Sequence, residues 1–296
     1  MRVLVTGGTG FIGSALVRSL QDHGHAPVIL SRPGGRQPTS AASLEWDPRV
    51  GPPPRAAWDG VDAVVNLAGE PANGRWTEAK KRRLRESRVG LTNRLVEGIS
   101  SLTEPPRVMV SMSTSGYYGD RGDETLTEDA VAGEGFIPAI IRDWEVAAMG
   151  AERLGMKVSR TRGGIILGRH GPAWKRLRLV ANLGILGPVA GGRQWWSWIH
   201  LDDVIAFMIY ALENELSGPF NLSAPDARRQ GDWAKTLARV LRRPGFFPAP
   251  AFAVRAVLGG FSGELLESRH MIPAAVHASG FEFTHPDLEP ALESLV

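Results

Sequence analysis

Gly7, Gly10 and Gly13 stand in a Gly-x-x-Gly-x-x-Gly pattern between the β-branched run Arg2–Thr6 and a stretch, Phe11–Gln21, whose apolar residues recur at helical spacing. In that context each glycine has a task. One allows the tight turn, a second lets the backbone approach a pyrophosphate, and the third lets helix and strand pack closely. The helix N-terminus then faces the phosphates with its free N–H groups and positive dipole end. The alternative is a turn that needs glycine only for its shape. Its place in the first strand-turn-helix of the chain favours a dinucleotide site.

The next apolar run ends Val28-Ile29-Leu30-Ser31-Arg32. A site selective for NAD usually closes this strand on a carboxylate that accepts from the ribose hydroxyls, whereas a guanidinium pairs bidentately with a 2′-phosphate. NADP(H) is therefore the expected cofactor, the alternative being that Arg32 is only a loop arginine. Further along, Trp174, Trp195, Trp196 and Trp198 interleave with Lys175, Arg176, Arg178 and Arg193. We rank a pocket wall with arginines gripping an anionic substrate first, ordinary core second and a single-strand nucleic-acid surface last. Glu70, Arg75 and Trp76 follow the third strand and point to the same cleft, and Lys80–Arg83 reads as a solvated helix face. His200 is either a proton shuttle or a buried histidine before a helix that Asp202 caps, and the second reading is favoured. The 7 histidines lack ligand spacing and there are 0 cysteines, so no metal site, thiolate nucleophile or disulfide is expected.

The elements that must position these residues alternate. Strands are expected at Arg2–Thr6, Pro27–Leu30, Asp62–Leu67, Arg107–Ser113, Lys157–Thr161 and Pro219–Leu222. Helices are expected at Phe11–Gln21 with Gly24 closing it, at Thr77–Leu102 and Phe136–Leu154, and from about Asp202 and Asp232. A Pro/Gly/Ser-rich surface loop fills the space from the second strand to about Pro54. This is the pattern of an α/β, Rossmann-like, doubly wound parallel sheet. Residues 1–247 form the nucleotide-binding domain, with substrate-side segments at about 164–200 and 219–247. Residues 248–296 form a small, mostly helical C-terminal appendage with a helix over Phe252–Arg269.

Composition narrows the class further. Of 296 residues 43% are hydrophobic and 22% charged, enough for a sizeable core. A balance of 34 basic to 31 acidic residues gives +3, too little to argue for a nucleic-acid or membrane partner. No apolar run reaches the roughly 18 residues of a membrane span, and MRVLVTGGTG lacks a secretory h-region, so a cytoplasmic protein is expected.

The phosphate loop, Asn66-Leu67-Ala68-Gly69 and Ser113–Gly119 together resemble the extended and atypical short-chain dehydrogenase/reductases. NLAGEP (Asn66–Pro71), Arg75-Trp76, Ser87-Arg88, GYYGD (Gly116–Asp120), Trp144-Glu145 and RQWWSWIHLDD (Arg193–Asp203) narrow the match to the atypical epimerase-family proteins of family 39U. The tail resembles that group's C-terminal domain of unknown function. The resemblance implies that Gly7, Gly10 and Gly13 cradle the pyrophosphate, with Thr9, Phe11 and Ile12 lining it, while Ser31 and Arg32 meet the adenosine phosphate. It places Ala68 and Gly69 along the cofactor and Arg162 to Ile165 near the nicotinamide. The group's glycine-rich stretch after ILG is here Arg169–Trp174, a departure on the substrate side. By analogy with extended relatives, the helices at Thr77–Leu102 and Phe136–Leu154 would serve a homodimer.

Ordinary members of the superfamily carry a Tyr-x-x-x-Lys pair in which lysine and the cofactor ring lower the tyrosine pKa. Aligned on Glu145, this chain has Ile137 and Ile141 at those positions. Thr114 matches the hydroxyl that orients a substrate carbonyl, and Tyr117 is the candidate acid. Tyr118 reads as a structural or substrate contact, and Arg142 supplies charge but no base. Glu70, Trp76, Tyr118, Arg193 and His200 are the candidate substrate contacts. Two functions follow: an oxidoreductase or epimerase-like enzyme acting on a small polar or anionic carbonyl compound, or a catalytically silent NADPH-binding regulator that docks a partner.

Overall fold

The computed structural model describes residues 1–35, 41–184 and 186–296, side chains of residues 257, 258 and 261 excepted. Its first half runs β1 (Arg2–Thr6), α1 (Phe11–Asp22), β2 (Ala26–Ser31), β3 (Ala42–Glu45), β4 (Ala63–Asn66), α2 (Glu78–Arg85), α3 (Leu91–Ser100), β5 (Val108–Thr114), β6 (Thr125–Leu126) and α4 (Phe136–Met149). There follow β7 (Lys157–Gly163), β8 (Ile165–Leu167), α5 (Pro172–Asn182), β9 (Trp195–Trp196), β10 (Trp198–His200), α6 (Leu201–Glu213), β11 (Gly218–Leu222), β12 (Arg228–Arg229) and α7 (Gln230–Leu241). The last segment holds α8 (Ala251–Leu258), α9 (Gly263–Leu266), β13 (His270–Met271), α10 (Ala274–Ala278) and α11 (Leu288–Glu293).

Seven strands form one sheet in the order β11-β7-β5-β4-β1-β2-β3, every pair parallel. Parallel strands covered on both faces need apolar residues at successive positions, and β1 supplies them. Val3 and Val5 join Val65 and Val110 on the face covered by α1 and α6, while Leu4 joins Val64 and Met109 under Leu91, Leu95 and Ile99 of α3. A third cluster, Trp174, Trp196, Trp198 and Trp233 with Leu288 and Leu292, welds the segments at about 164–200 and 219–247 to the C-terminal one. Three of the four interleaved tryptophans, Trp174, Trp196 and Trp198, are therefore core, although Trp196 also borders a cavity.

Four local expectations are corrected. The region assigned to surface loop contains β3, a short edge strand without β-branched residues that forms because β2 offers it a free edge. Residues 36–40 of that loop lie outside the described residues. The helix expected over Thr77–Leu102 is interrupted by a π turn at Glu86–Gly90. The helix expected over Phe252–Arg269 stops at Leu258, where Gly259 takes φ +55°, and a 3₁₀ turn at Gly259–Ser262 and the short α9 follow. The Phe136–Leu154 helix ends at Met149, leaving a 3₁₀ turn at Glu152–Leu154.

The C-terminal segment docks through polar main-chain contacts as well as apolar ones. β13 pairs with β6, and the buried Asp203 carboxylate accepts from the backbone N–H groups of Thr284 (2.7 Å) and His285 (3.0 Å). His200, not Asp202, caps α6: its Nδ1 accepts the Asp202 N–H at 3.2 Å. Burial, with the His285 ring tilted against it at 3.9 Å between centroids, holds the His200 pKa below the ordinary histidine value. The unfolded chain therefore takes up this proton first, and the stabilising contribution, whole above about 6.5, is lost progressively as pH falls below it through the lower folded-state value. His200→Asn keeps a capping side chain without the titration. Between about pH 7.5 and 5.5 the melting temperature of the wild type should fall more than that of this variant, and parallel profiles would remove His200 from the acid response.

Candidate cofactor and substrate site

The carboxyl ends of β1 and β4 are held together by short polar side chains. Thr6 Oγ1 donates to Asn66 Oδ1 (2.7 Å) and accepts from the N–H groups of Leu67 and Ala68, both at 3.2 Å. Against that edge the glycine loop fits without room to spare. A Cβ on Gly7 would stand 2.9 Å from the Ala68 nitrogen, and one on Gly13 would stand 2.2 Å from the Gly7 carbonyl oxygen. Gly10 precedes α1 without any side-chain cap, so the first-turn N–H groups face outward. At the end of β2 the Ser31 hydroxyl is buried with no hydrogen-bond partner among the described residues, and Arg32 beside it is exposed and unpaired among them. A cradle closed to side chains, free helix N–H groups, an orphaned hydroxyl and a free guanidinium fit a phosphorylated dinucleotide.

Deeper in the same edge lies a buried polar network. Arg162 of β7 pairs bidentately with Glu145 of α4, Nε to Oε1 and Nη2 to Oε2, both 2.9 Å. Its Nη1 donates to the Tyr118 hydroxyl (2.9 Å) and the Glu128 carbonyl (3.0 Å), while Ser113 of β5 donates to Glu145 Oε1 at 2.6 Å. Burial alone would lower the guanidinium pKa, but the Glu145 carboxylate overrides it and raises the value. Tyr118 donates to Asn221 Oδ1 of β11 at 2.7 Å, and burial pushes its phenol up to about 12 despite Arg162. Tyr117 lays its ring 3.6 Å from the Arg162 guanidinium.

Above the network is a cavity of about 230 Å³. Thr114 of β5 and Ile165 of β8 line it together with Ile137 and Ile141 of α4, Trp195 and Trp196 of β9, and Glu264, Glu267 and Arg269 of the C-terminal segment. Thr114 Oγ1 accepts the Gly116 N–H at 3.1 Å, which fixes the side chain and leaves its own proton to donate.

Residues 3–223 match the NAD dependent epimerase/dehydratase family, and residues 249–295 match a domain of unknown function, DUF1731. The chain belongs to the NAD dependent epimerase/dehydratase family. It is 34% identical to the epimerase family protein YfhF of Bacillus subtilis, an alignment covering 100% of this chain and 98% of that one. To the epimerase family protein ML0860 of Mycobacterium leprae it is also 34% identical, over 98% of this chain and 94% of the other. The crystal structure of human epimerase family protein SDR39U1, solved with NADPH, superposes with a TM-score of 0.89 at 34% identity, covering 100% of this chain and 99% of that one.

In this epimerase-family chain the predicted residues fall into three groups. Gly7, Thr9, Gly10, Phe11, Ile12, Gly13, Ser31, Arg32, Ala68 and Gly69 lie at the loop, the first turn of α1 and the adjoining strand ends. Thr114 and Ile165 face the cavity, as do Ile137 and Ile141. The others do not line it. Arg162, Tyr117 and Tyr118 belong to the network beneath, and Glu70 is held by Lys80 (2.7 Å) and Arg83 (3.1 Å), which lower its pKa. With Lys81 on Glu78 (2.8 Å), three of the four charges read as a solvated helix face thus have a carboxylate partner. Trp76 donates to the Ala72 carbonyl and covers Gly260, and Arg193 is exposed. His200 lines a separate cleft with Thr9, Gly10 and Phe11.

His200, Asp202 and His285 bring ligand atoms within 4.8 Å of one another, a grouping that spacing along the chain did not disclose. Arg18 and Arg169 of the same cleft and the N-terminus of α6 put positive charge there, which opposes a cation. Sequence reasoning also missed Arg88, Glu264 and Arg269 as cavity residues. Arg88 had a signal, since Leu84, Arg88, Leu91 and Leu95 form an i, i+4, i+7, i+11 stripe with a charge inside it.

Glu145→Gln leaves the Arg162 guanidinium buried without its counter-charge. Urea unfolding should show a loss of about 3–5 kcal/mol, and a loss under about 1 kcal/mol would mean that the network does not hold the sheet edge.

Proposed function

We propose that this protein is an NADP(H)-dependent oxidoreductase or epimerase-like enzyme, acting on a small polar or anionic carbonyl compound without a Tyr-x-x-x-Lys dyad. The observation that carries the reading is a set of features gathered at the carboxyl ends of the parallel strands: the orphaned Ser31 hydroxyl beside Arg32 after β2, the glycine cradle after β1, and Thr114 at the end of β5, which lines a cavity. The NADPH in the human relative's structure supports the choice of cofactor.

Bound there, a nicotinamide cofactor supplies or accepts hydride at a carbonyl carbon. The chain's own residues do the rest. Ser31 and Arg32 would hold the 2′-phosphate, Gly10 and the first turn of α1 the pyrophosphate, and Ala68–Gly69 the edge beyond it. Thr114, its oxygen occupied by the Gly116 N–H, directs its hydroxyl proton at the substrate oxygen and stabilises charge developing there. Ile137 and Ile141 keep that oxygen away from water but transfer no proton. Tyr118, neutral and with its hydroxyl engaged on both sides, braces Arg162. By analogy with extended relatives, the proposal includes a homodimer through the α2–α3 helix and α4.

A second reading, a silent NADPH-binding regulator, is favoured by the same isoleucines, which replace both groups of the usual proton relay in the cavity wall. NADPH consumption followed by absorbance over a panel of small oxo acids, aldehydes and ketones separates the two. Turnover with a panel member, reduced about 100-fold or more by Thr114→Val, supports the enzyme. Tight NADPH binding with no consumption across the panel supports the regulator.

A further inference from the structure

Arg88 stands on the apolar stripe of its helix, between the buried Leu84 and Leu91. The backbone is also unusual there, since Arg88 is the middle residue of the π turn Glu86–Gly90. Single π turns inside helices recur at functional positions, and a cation on a core stripe needs a counter-charge. None of the described residues provides one within ion-pairing distance. The hydrogen bonds of Arg88 to described residues run from Nη1 to main-chain carbonyls, Glu70 O at 3.0 Å and Leu84 O at 3.5 Å.

The two carboxylates whose fields reach it, Glu70 and Glu264, are committed elsewhere. Glu70 is held by Lys80 and Arg83, and Glu264 by Arg269. Arg269 is itself satisfied by Glu264 and Glu267, so Arg88 is the cation left over in the cavity wall. Its guanidinium carbon lies 3.5 Å from where a Cβ on Gly69 would stand, and the Trp144 ring flanks it with its centroid 5.4 Å away. A glycine at position 69 thus lets a flat, partly desolvated fork lie between the end of β4 and the cavity that holds Thr114.

We propose that Arg88 is the anchor for the carboxylate of a small carbonyl-bearing acid, which it holds by the bidentate geometry of guanidinium and carboxylate with the carbonyl turned toward Thr114. The inference rests on the cofactor reading above and gives its substrate a class. The cavity volume of about 230 Å³ falls below the ~300–1,000 Å³ typical of sites for drug-sized ligands, which fits an acid of a few carbons and not a nucleoside-diphosphate sugar. Burial also lowers the Arg88 pKa, the mark of a cation whose solvation has been stripped without a protein carboxylate in exchange.

The test is calorimetric titration of the full chain, saturated with NADP⁺, using oxamate as the probe and inorganic phosphate in parallel. Oxamate should bind one to one in the wild type, about 30-fold more weakly in Arg88→Gln and at an intermediate level in Arg88→Lys, with NADPH affinity kept within about threefold. In the wild type alone, oxamate should protect Arg88 from phenylglyoxal, as mapped by mass spectrometry. Four results would overturn the assignment: equal oxamate affinity in wild type and Arg88→Gln, no oxamate binding while NADPH still binds, phosphate binding in place of oxamate, or a loss confined to NADPH. Should the wild type bind no NADPH, the cofactor reading has failed, and the same oxamate titration on the cofactor-free protein still decides Arg88.

Discussion

A guanidinium buried beneath the carboxyl edge of a parallel sheet is tolerable only if a carboxylate and enough oxygen acceptors close around it, and Arg162 has both. Glu145 takes two of its donors and Tyr118 and the Glu128 carbonyl share a third. Because those partners sit on α4, the segment after β5 and the segment after β6, satisfying one charge fixes four parts of the chain against each other. The register of α4 on the sheet follows, and with it the two isoleucines that face the cavity. An isolated buried ion pair is poor evidence for stability, but one whose remaining lone pairs and protons are taken up specifies an arrangement.

That arrangement leaves a cavity whose chemistry comes from unusual places. From α4 this chain turns Ile137 and Ile141, side chains without a titratable group, toward it. Its charged groups come from the C-terminal segment and from the π turn of the long helix. The C-terminal segment is therefore more than an appendage. It is pinned by the Asp203 carboxylate, by the β13–β6 pair and by the tryptophan cluster, and from that footing it carries Glu264, Glu267 and Arg269 to the cavity. Closing the site with a separate segment suits a small ligand that must be shielded from water.

The sheet and the phosphate loop were legible from the sequence because their signals are local. A β-branched run, three glycines at fixed spacing and an amphipathic helix lie within the first 22 residues. The exchange of a carboxylate for Arg32 was equally plain. What could not be read was long-range. The family resemblance places Arg162 near the nicotinamide, whereas Glu145, 17 residues away, turns its side chain into the network. Arg193 and Glu70 carry charges that suit a substrate, but only the folded chain shows one exposed and the other already paired. The histidines of the second cleft are 85 positions apart by number, His200 and His285, and no spacing rule connects them. β3 was missed for a related reason: an edge strand of Ala, Ser, Leu and Glu owes its conformation to its neighbour more than to its own residues.

The central claim is that the loop and the end of β2 form a site for a dinucleotide bearing a 2′-phosphate. Nicotinamide fluorescence followed during parallel titrations with NADPH and NADH, on the wild type and on Arg32→Ala, tests it most directly. The account predicts tight wild-type binding of NADPH, at least about tenfold weaker binding of NADH, and a variant in which that preference collapses because the guanidinium pairing with the 2′-phosphate is gone. Binding of neither cofactor, or a preference for NADPH that survives the loss of Arg32, would contradict it.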